Sequence, residues 1–245
     1  MSVFGGPDIV TDGLVLHLDA ANRKSYPGSG NTWYDLLGYD HHVTKDSTYQ
    51  PTYNTNGYFS FTGGQNFETR SANISFGSEI TMICWYRQTG AGLAGSAPRL
   101  LEISISSATN PSHGNAIVVD TDYSVRGWID TQGSSYGRLE QLDSISGLTG
   151  NIWRMLSYTY AGVSGSSKMY YNGSVQSLTR TVPGTTNDID DGNNITIGAI
   201  SDFAVYQHNQ HYFVGDISMC HVYNKALSAA EIRKNFEAVK GRFGL

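Results

Sequence analysis

Oxygen ligands are most concentrated between Asn187 and Asn194, where the sequence reads NDIDDGNN. Asp188, Asp190 and Asp191, with the amides of Asn193 and Asn194, are the donor types a calcium ion takes, since it gathers about six to eight oxygens. The spacing is not that of an EF-hand, because Ile189 stands two residues before Asp191 where a ligand would be needed. The same composition also describes a solvated turn. Calcium is thus the one cofactor the sequence admits, and none is required.

Other chemistry-bearing groups give weaker signals. Gly133 to Gly137 reads GSSYG, the string of a nucleophile elbow. That motif works as a strand-to-helix turn with an acid and a histidine downstream in an α/β sheet, and none of this context is legible. A retaining glycosidase places two carboxylates about 5 to 5.5 Å apart. Glu102 is followed by Ile-Ser-Ile, and Asp120 and Asp122 flank a turn, so no such pair is spelled out. The expectation is a protein without catalytic residues, with a cryptic glycoside hydrolase as the alternative. Among histidines, His41 and His42 are adjacent and point to opposite sides of an extended chain. His208 and His211 fall in a polar loop, while His17 and His221 lie inside strand patterns as half-buried structural residues.

Tyr123, Trp128, Tyr136, Tyr206 and Tyr212 lie in or beside loops. Aromatic faces pack on sugar rings while a tyrosine hydroxyl keeps its water, which makes these five the candidate glycan contacts. Alternating strands also bury Tyr and Trp as core, and that reading competes.

The elements that must position these groups are short strands. Charged residues are only 15% of a chain of 245, glycines number 28, and one stretch alone has a helical period, which together favour an all-β class. GLVLHLD (13–19), Tyr58 to Thr62, ITMICWYR (80–87), Leu101 to Ser106, Asn115 to Asp120, Ser124 to Ile129, Gly137 to Gln141, Ile152 to Tyr160, Lys168 to Tyr171, ITIGAI (195–200) and Ile217 to Tyr223 read as strands. Both faces of 80–87 are apolar, so that strand belongs in the middle of a sheet, covered on both sides. Asn172-Gly173 marks a hairpin with a return strand from Ser174. Residues 22–57 form a long excursion anchored by Trp33 and Leu36. The helix follows Ser228, whose partner Glu231 completes a capping box, with Ile232, Phe236 and Val239 on its apolar face and Gly241 as its stop. Cys84 and Cys220 fall in apolar strand patterns and are expected as reduced core thiols.

A net charge of -5 without a run of Lys or Arg excludes an electrostatic footprint for nucleic acid. No segment approaches the roughly 18 apolar residues of a membrane span, and MSVFGGPDIV has no secretory pattern, so synthesis in the cytoplasm is expected.

Taken in order, GLVLHLDA, TWYDLLG, EITMICWYR, NIWRMLSYTYAG, MYYNGS, ITIGA and FVGDISMCHVYNKALSAAEI resemble the laminin G-like, concanavalin A-like jelly-roll family. The closing pattern of that family is carried by Phe213, Gly215, Tyr223, Asn224, Ala226, Leu227, Ser228, Glu231 and Ile232. The resemblance implies a concanavalin A-like jelly-roll β-sandwich with one short C-terminal helix, over residues 11–240, between an arm at 1–10 and a tail at 241–245. The helix is expected to plug one edge of the sandwich. Within the family the chain looks most like versions found in tailed-phage structural proteins. That narrower likeness implies a virion component, in capsid or neck decoration or in a tail fibre, whose partners are other virion proteins, symmetry-related copies and host glycan. Val3 and Phe4 in the arm, with Phe243 and Leu245 in the tail, are then the expected assembly contacts.

Overall fold

The computed structural model describes residues 8–45, 50–69, 71–90, 97–104, 114–120, 124–129, 140–142, 150–163, 166–177, 180–182, 189, 194–200 and 211–245. The first strands are β1 (Leu14–Asp19), β2 (Thr32–Trp33), β3 (Val43–Lys45), β4 (Thr52–Asn54), β5 (Tyr58–Thr62), β6 (Phe67–Thr69) and β7 (Glu79–Gln88). There follow β8 (Arg99–Ser104), β9 (Gly114–Val119), β10 (Val125–Ile129), β11 (Glu140–Leu142), β12 (Arg154–Ala161) and β13 (Lys168–Tyr171). β14 (Ser174–Val175), β15 (Arg180–Val182), β16 (Asn194–Ile197) and β17 (Val214–Tyr223) complete the strands, and α1 (Ala229–Val239) runs into a 3-10 turn at Lys240–Phe243. Every expected strand is present within a few residues of its expected bounds.

The strands form two antiparallel sheets facing each other. One has the order β14-β13-β12-β7-β17-β5-β4, with β1 also on β17; the other runs β15-β11-β10-β9-β8-β16-β6-β3-β2. Their inner faces share one core, because period-two alternation sends Met82, Cys84 and Tyr86 of β7 inward with Cys220 and Val222 of β17, to meet Leu101, Ile117 and Ile195. Trp33 is fully buried against Phe59 and Phe67, at 4.9 and 5.4 Å between rings, and ties the excursion to this core as expected. Leu36 is only half-buried; the second anchor is the carboxylate of Asp35.

The sheets approach each other closely at Gly127. A Cβ there would stand 2.3 Å from Cδ2 of Tyr158, whose buried hydroxyl hydrogen-bonds Ser167 at 2.8 Å. Tyr158 therefore fills the gap between the sheets only because β10 lacks a side chain opposite it.

The outer face of the eight-stranded sheet is apolar too. Ile83, Trp85, Met155, Tyr170, Met219 and Tyr223 form a second core with Leu227, Ile232, Phe236 and Val239 from the helix segment. The helix thus lies across this face instead of plugging an edge, because two adjacent strands, β7 and β17, bury both sides and need a cover. Its start is fixed by the expected capping box: the Ser228 hydroxyl accepts from the Glu231 amide, and the Glu231 carboxylate accepts from the Ser228 amide at 2.8 Å. Lys225 also donates to that carboxylate and, with the Ser228 bonds, holds it down to about 2.

Val10, ahead of β1, and the C-terminal turn dock on the same face. The Val10 amide donates to Asn235 at 2.8 Å, while Tyr223 donates to the Val10 carbonyl at 3.0 Å. The residues expected as a tail are bound, and the α-helix ends just before Gly241 as expected, but the 3-10 turn passes through Gly241 and it is Gly244 that takes the positive φ. Arg242 donates to both oxygens of Asp19 at 2.7 and 2.8 Å, and Phe243 stacks on Trp85 at 4.5 Å. Beside this clamp, His221 is buried with neither ring nitrogen paired among the described residues, 4.7 Å edge-on from the His17 ring. Burial pulls both imidazoles down, with Arg242 adding to the effect on each.

Gly127→Ala is expected to cost about 1–3 kcal/mol by overpacking against Tyr158, read as a fall in the urea midpoint. The histidine pair makes stability pH-dependent. A histidine whose folded-state pKa lies below the unfolded value of about 6.5 loses stability as pH falls through that value. Urea midpoints should decline from about pH 7.5 to about pH 5, above the range where Glu231 matters, and His221→Leu should flatten the decline. Equal slopes in the two proteins would remove the pair as its cause.

Candidate functional site

Outward-facing residues of the nine-stranded sheet form a cross-strand row, Thr44–Glu68–Thr196–Glu102–Ala116–Trp128, set by the registers of six strands. Trp128, expected as a glycan contact, is only 2% exposed, and the Arg99 guanidinium lies 4.3 Å from its ring centre. Tyr212, just before β17, is 4% exposed. Neither ring presents a face to solvent: Trp128 packs with Ala116 and Val118 under Arg99, and Tyr212 is buried. Tyr123, Tyr136, Tyr206, Val3 and Phe4 lie outside the described residues, as does the GSSYG string. Of the expected assembly pair at the C-terminus, Phe243 is engaged by Trp85 and Leu245 is exposed.

Two carboxylates on this sheet, Glu102 and Asp120, are held by guanidinium groups. Arg99 Nε stands 2.9 Å from Glu102 with both side chains buried, and Arg126 pairs with Asp120. A charge-assisted pair of this kind fixes the position of the carboxylate as well as satisfying it. Asp188, Asp190 and Asp191 lie outside the described residues. Asn194 from the same stretch is a strand residue opposite Ser104, and no three His, Cys, Asp or Glu side chains among the described residues converge as metal ligands.

A second candidate surface is the loop 34–42 between β2 and β3, which is hydrogen-bonded to β1. Its backbone is fixed at several points. The Tyr34 amide donates to Ser25 O at 2.7 Å, the Leu36 amide to His17 O at 3.0 Å, and the amides of His17 and Leu37 donate to Asp35 Oδ1. His42 Nδ1 accepts from the Asp35 amide at 3.0 Å, so its neutral ring carries the proton on Nε2, 3.3 Å from Asp40. His41 Nδ1 donates to the Val15 carbonyl at 2.9 Å. Asp40 accepts a left-handed φ of 61, a conformation aspartate tolerates better than most residues.

On this rigid frame stand two exposed rings, Tyr34 at 41% and Tyr39 at 61%. Each has a histidine alongside, Tyr34 with His42 at 5.0 Å and Tyr39 with His41 at 5.8 Å. Exposed apolar faces beside hydroxyl, carboxylate and imidazole groups can pack on a ring and hydrogen-bond its substituents. Sequence reading missed this surface because it took the stretch YDLLGYDHH as excursion. The signal was present in the repeated Tyr-Asp pairs, at 34–35 and 39–40, one aspartate buried as an anchor and the other exposed.

Comparison of the sequence with curated proteins finds no match. Among solved structures, the fold is similar to Trypanosoma rangeli sialidase, with a TM-score of 0.63 and 15% identity over 96% of this chain and 34% of that one. It is also similar to the native heptameric SAP-like pentraxin from Limulus polyphemus, with a TM-score of 0.55 and 16% identity over 74% of this chain and 82% of that one. This chain spans about a third of the sialidase's length. Residues 61–233 match the laminin G-type family described as the concanavalin A-like lectin/glucanases superfamily, which is more than half of the chain and agrees with the two-sheet order seen here. The chain belongs to the concanavalin A-like lectin/glucanases superfamily.

Proposed function

We propose that the chain is a non-enzymatic display domain of a virion, in a capsid or neck decoration or a fibre. The observation that carries this reading is the convergence of residues 8–12 and 240–245 on the outer face of the eight-stranded sheet. Attachment at that face leaves the nine-stranded sheet pointing away from the particle. Its partners are other virion proteins and symmetry-related copies. The carboxylates of Glu102 and Asp120 are each engaged by an arginine on their own sheet, an arrangement that supports a structural role for them.

Because Arg242 and Phe243 are integral to the fold, attachment is tested at the exposed apolar residues beside them, Ile152 and Leu245. Mass-spectrometric inventory of purified particles should find the chain in fixed stoichiometry. Ile152→Asp with Leu245→Asp should keep the Tm while lowering occupancy by ~10-fold, equivalent to about 1.4 kcal/mol of contact energy. Absence of the unmodified chain from the particles would end this reading.

A second reading, contact with a host glycan, is favoured by the exposed pair Tyr34 and Tyr39 on a fixed loop. Binding on a glycan array should fall ~10-fold or more in Tyr34→Ala with Tyr39→Ala, since each aromatic contact is worth about 0.5–1.5 kcal/mol, and the Tm should hold because both rings are exposed. A blank array with the unmodified chain would leave display alone, and release of reducing sugar from bacterial or algal polysaccharide would contradict the non-enzymatic assignment.

A further inference from the structure

The two cysteines are separated by 136 residues, yet they meet in the middle of the molecule. Cys84 of β7 and Cys220 of β17 are cross-strand partners in register, with their sulfurs 3.8 Å apart. Both are fully buried and both are free thiols. β7 and β17 are neighbouring interior strands, each paired on its other side as well, so the position of the two sulfurs is held by the whole eight-stranded sheet.

We propose that Cys84 and Cys220 form a disulfide site, a covalent clasp between β7 and β17 that closes when the chain folds in the presence of a small disulfide oxidant. The geometry requires little movement. Side chains facing across adjacent strands have Cβ atoms about 4.5–5.5 Å apart, whereas a disulfide needs about 3.5–4.5 Å and a sulfur separation near 2.05 Å. Rotation about the two χ1 angles and an approach of the strands by less than about 1 Å closes the gap.

The chemistry balances as two successive exchanges. The Cys84 thiol loses its proton and attacks the small disulfide, giving a mixed disulfide and one small thiol. Cys220 then loses its proton and attacks the Cys84 sulfur, expelling the second small thiol. One small disulfide is reduced, two protein thiols are oxidised, and two protons pass to the departing thiolates. In the finished fold this exchange is blocked twice over: no oxidant reaches the core, and burial together with the neighbouring Cys220 raises the Cys84 thiol well above its usual range, so the attacking thiolate is scarce. The redox state is therefore set during folding and retained afterwards. A chain folded among thiols keeps two thiols, while one folded in an oxidising compartment keeps the clasp.

The test uses the full chain and oxidised glutathione as the probe. Reduced, denatured protein refolded with oxidised glutathione should show no titratable thiol when denatured again, a mass lower by two hydrogens, and a linked pair of peptides containing Cys84 and Cys220. Its Tm should exceed that of the same chain refolded with excess thiol by roughly 5–10 °C. Already folded, reduced protein held in the same oxidised glutathione should retain both thiols. Cys84→Ser with Cys220→Ser should show one Tm in both buffers, which separates the clasp from any other effect of the buffer. Two free thiols after oxidative refolding, two glutathione adducts, or a lower Tm for the linked protein would each overturn the proposal.

Discussion

The pairing of β7 with β17 is the constraint on which the rest of the structure depends. Each strand is ten residues long and buried on both faces, so neither can exist without a partner sheet below and a cover above. Between them lies more than half of the chain, including most of the second sheet. The eight-stranded sheet cannot close until the C-terminal strand is available to enter between β7 and its two neighbours, β5 and β1. Such long-range pairing is slow relative to local hairpins, and the hairpin at Asn172-Gly173 has the geometry to form well before it.

Much of this was legible from alternation. A strand buried on both faces is written as an uninterrupted apolar run, and ITMICWYR stated its central place directly. The capping box of α1 was legible for the same reason, since it is made by residues three apart. What alternation cannot state is what covers a face. Trp128 and Tyr212 stand where a sequence reading leaves an aromatic ring in water, yet Trp128 is roofed by Arg99, a contact made by a residue on another strand. The site followed the same rule. Tyr34 and Tyr39 are exposed because Asp35 is drawn inward by two backbone amides, one of them 18 residues distant, and that bond is invisible until β1 is in place.

Four carboxylates on the outer faces of the sheets are each met by an arginine: Asp19 by Arg242, Asp216 by Arg87, Glu102 by Arg99 and Asp120 by Arg126. Removing an ion from water is costly unless its partner returns comparable interaction, and the planar guanidinium does this better than an ammonium because its donors match two carboxylate oxygens. Arg87 adds aromatic contacts, resting 5.2 Å from the Trp153 ring, and Trp153 in turn packs on Phe243. On the outer face of the eight-stranded sheet, charge pairing and ring packing are thus one continuous network, and the C-terminal turn is part of it.

The clamp between Arg242 and Asp19 also decides how the protein carries mechanical load. Leu14 lies opposite Tyr223, so the chain enters β1 and leaves β17 side by side at the same end of the pair. Tension between those two points alone would open the ladder like a zipper, one bond after another. The C-terminal segment instead continues from the helix across that face and is pinned at Asp19, the far end of β1. Tension from Val10 to Arg242 then runs along the backbone of β1 itself, and the ladder to β17 is spared until the Arg242–Asp19 pair gives way.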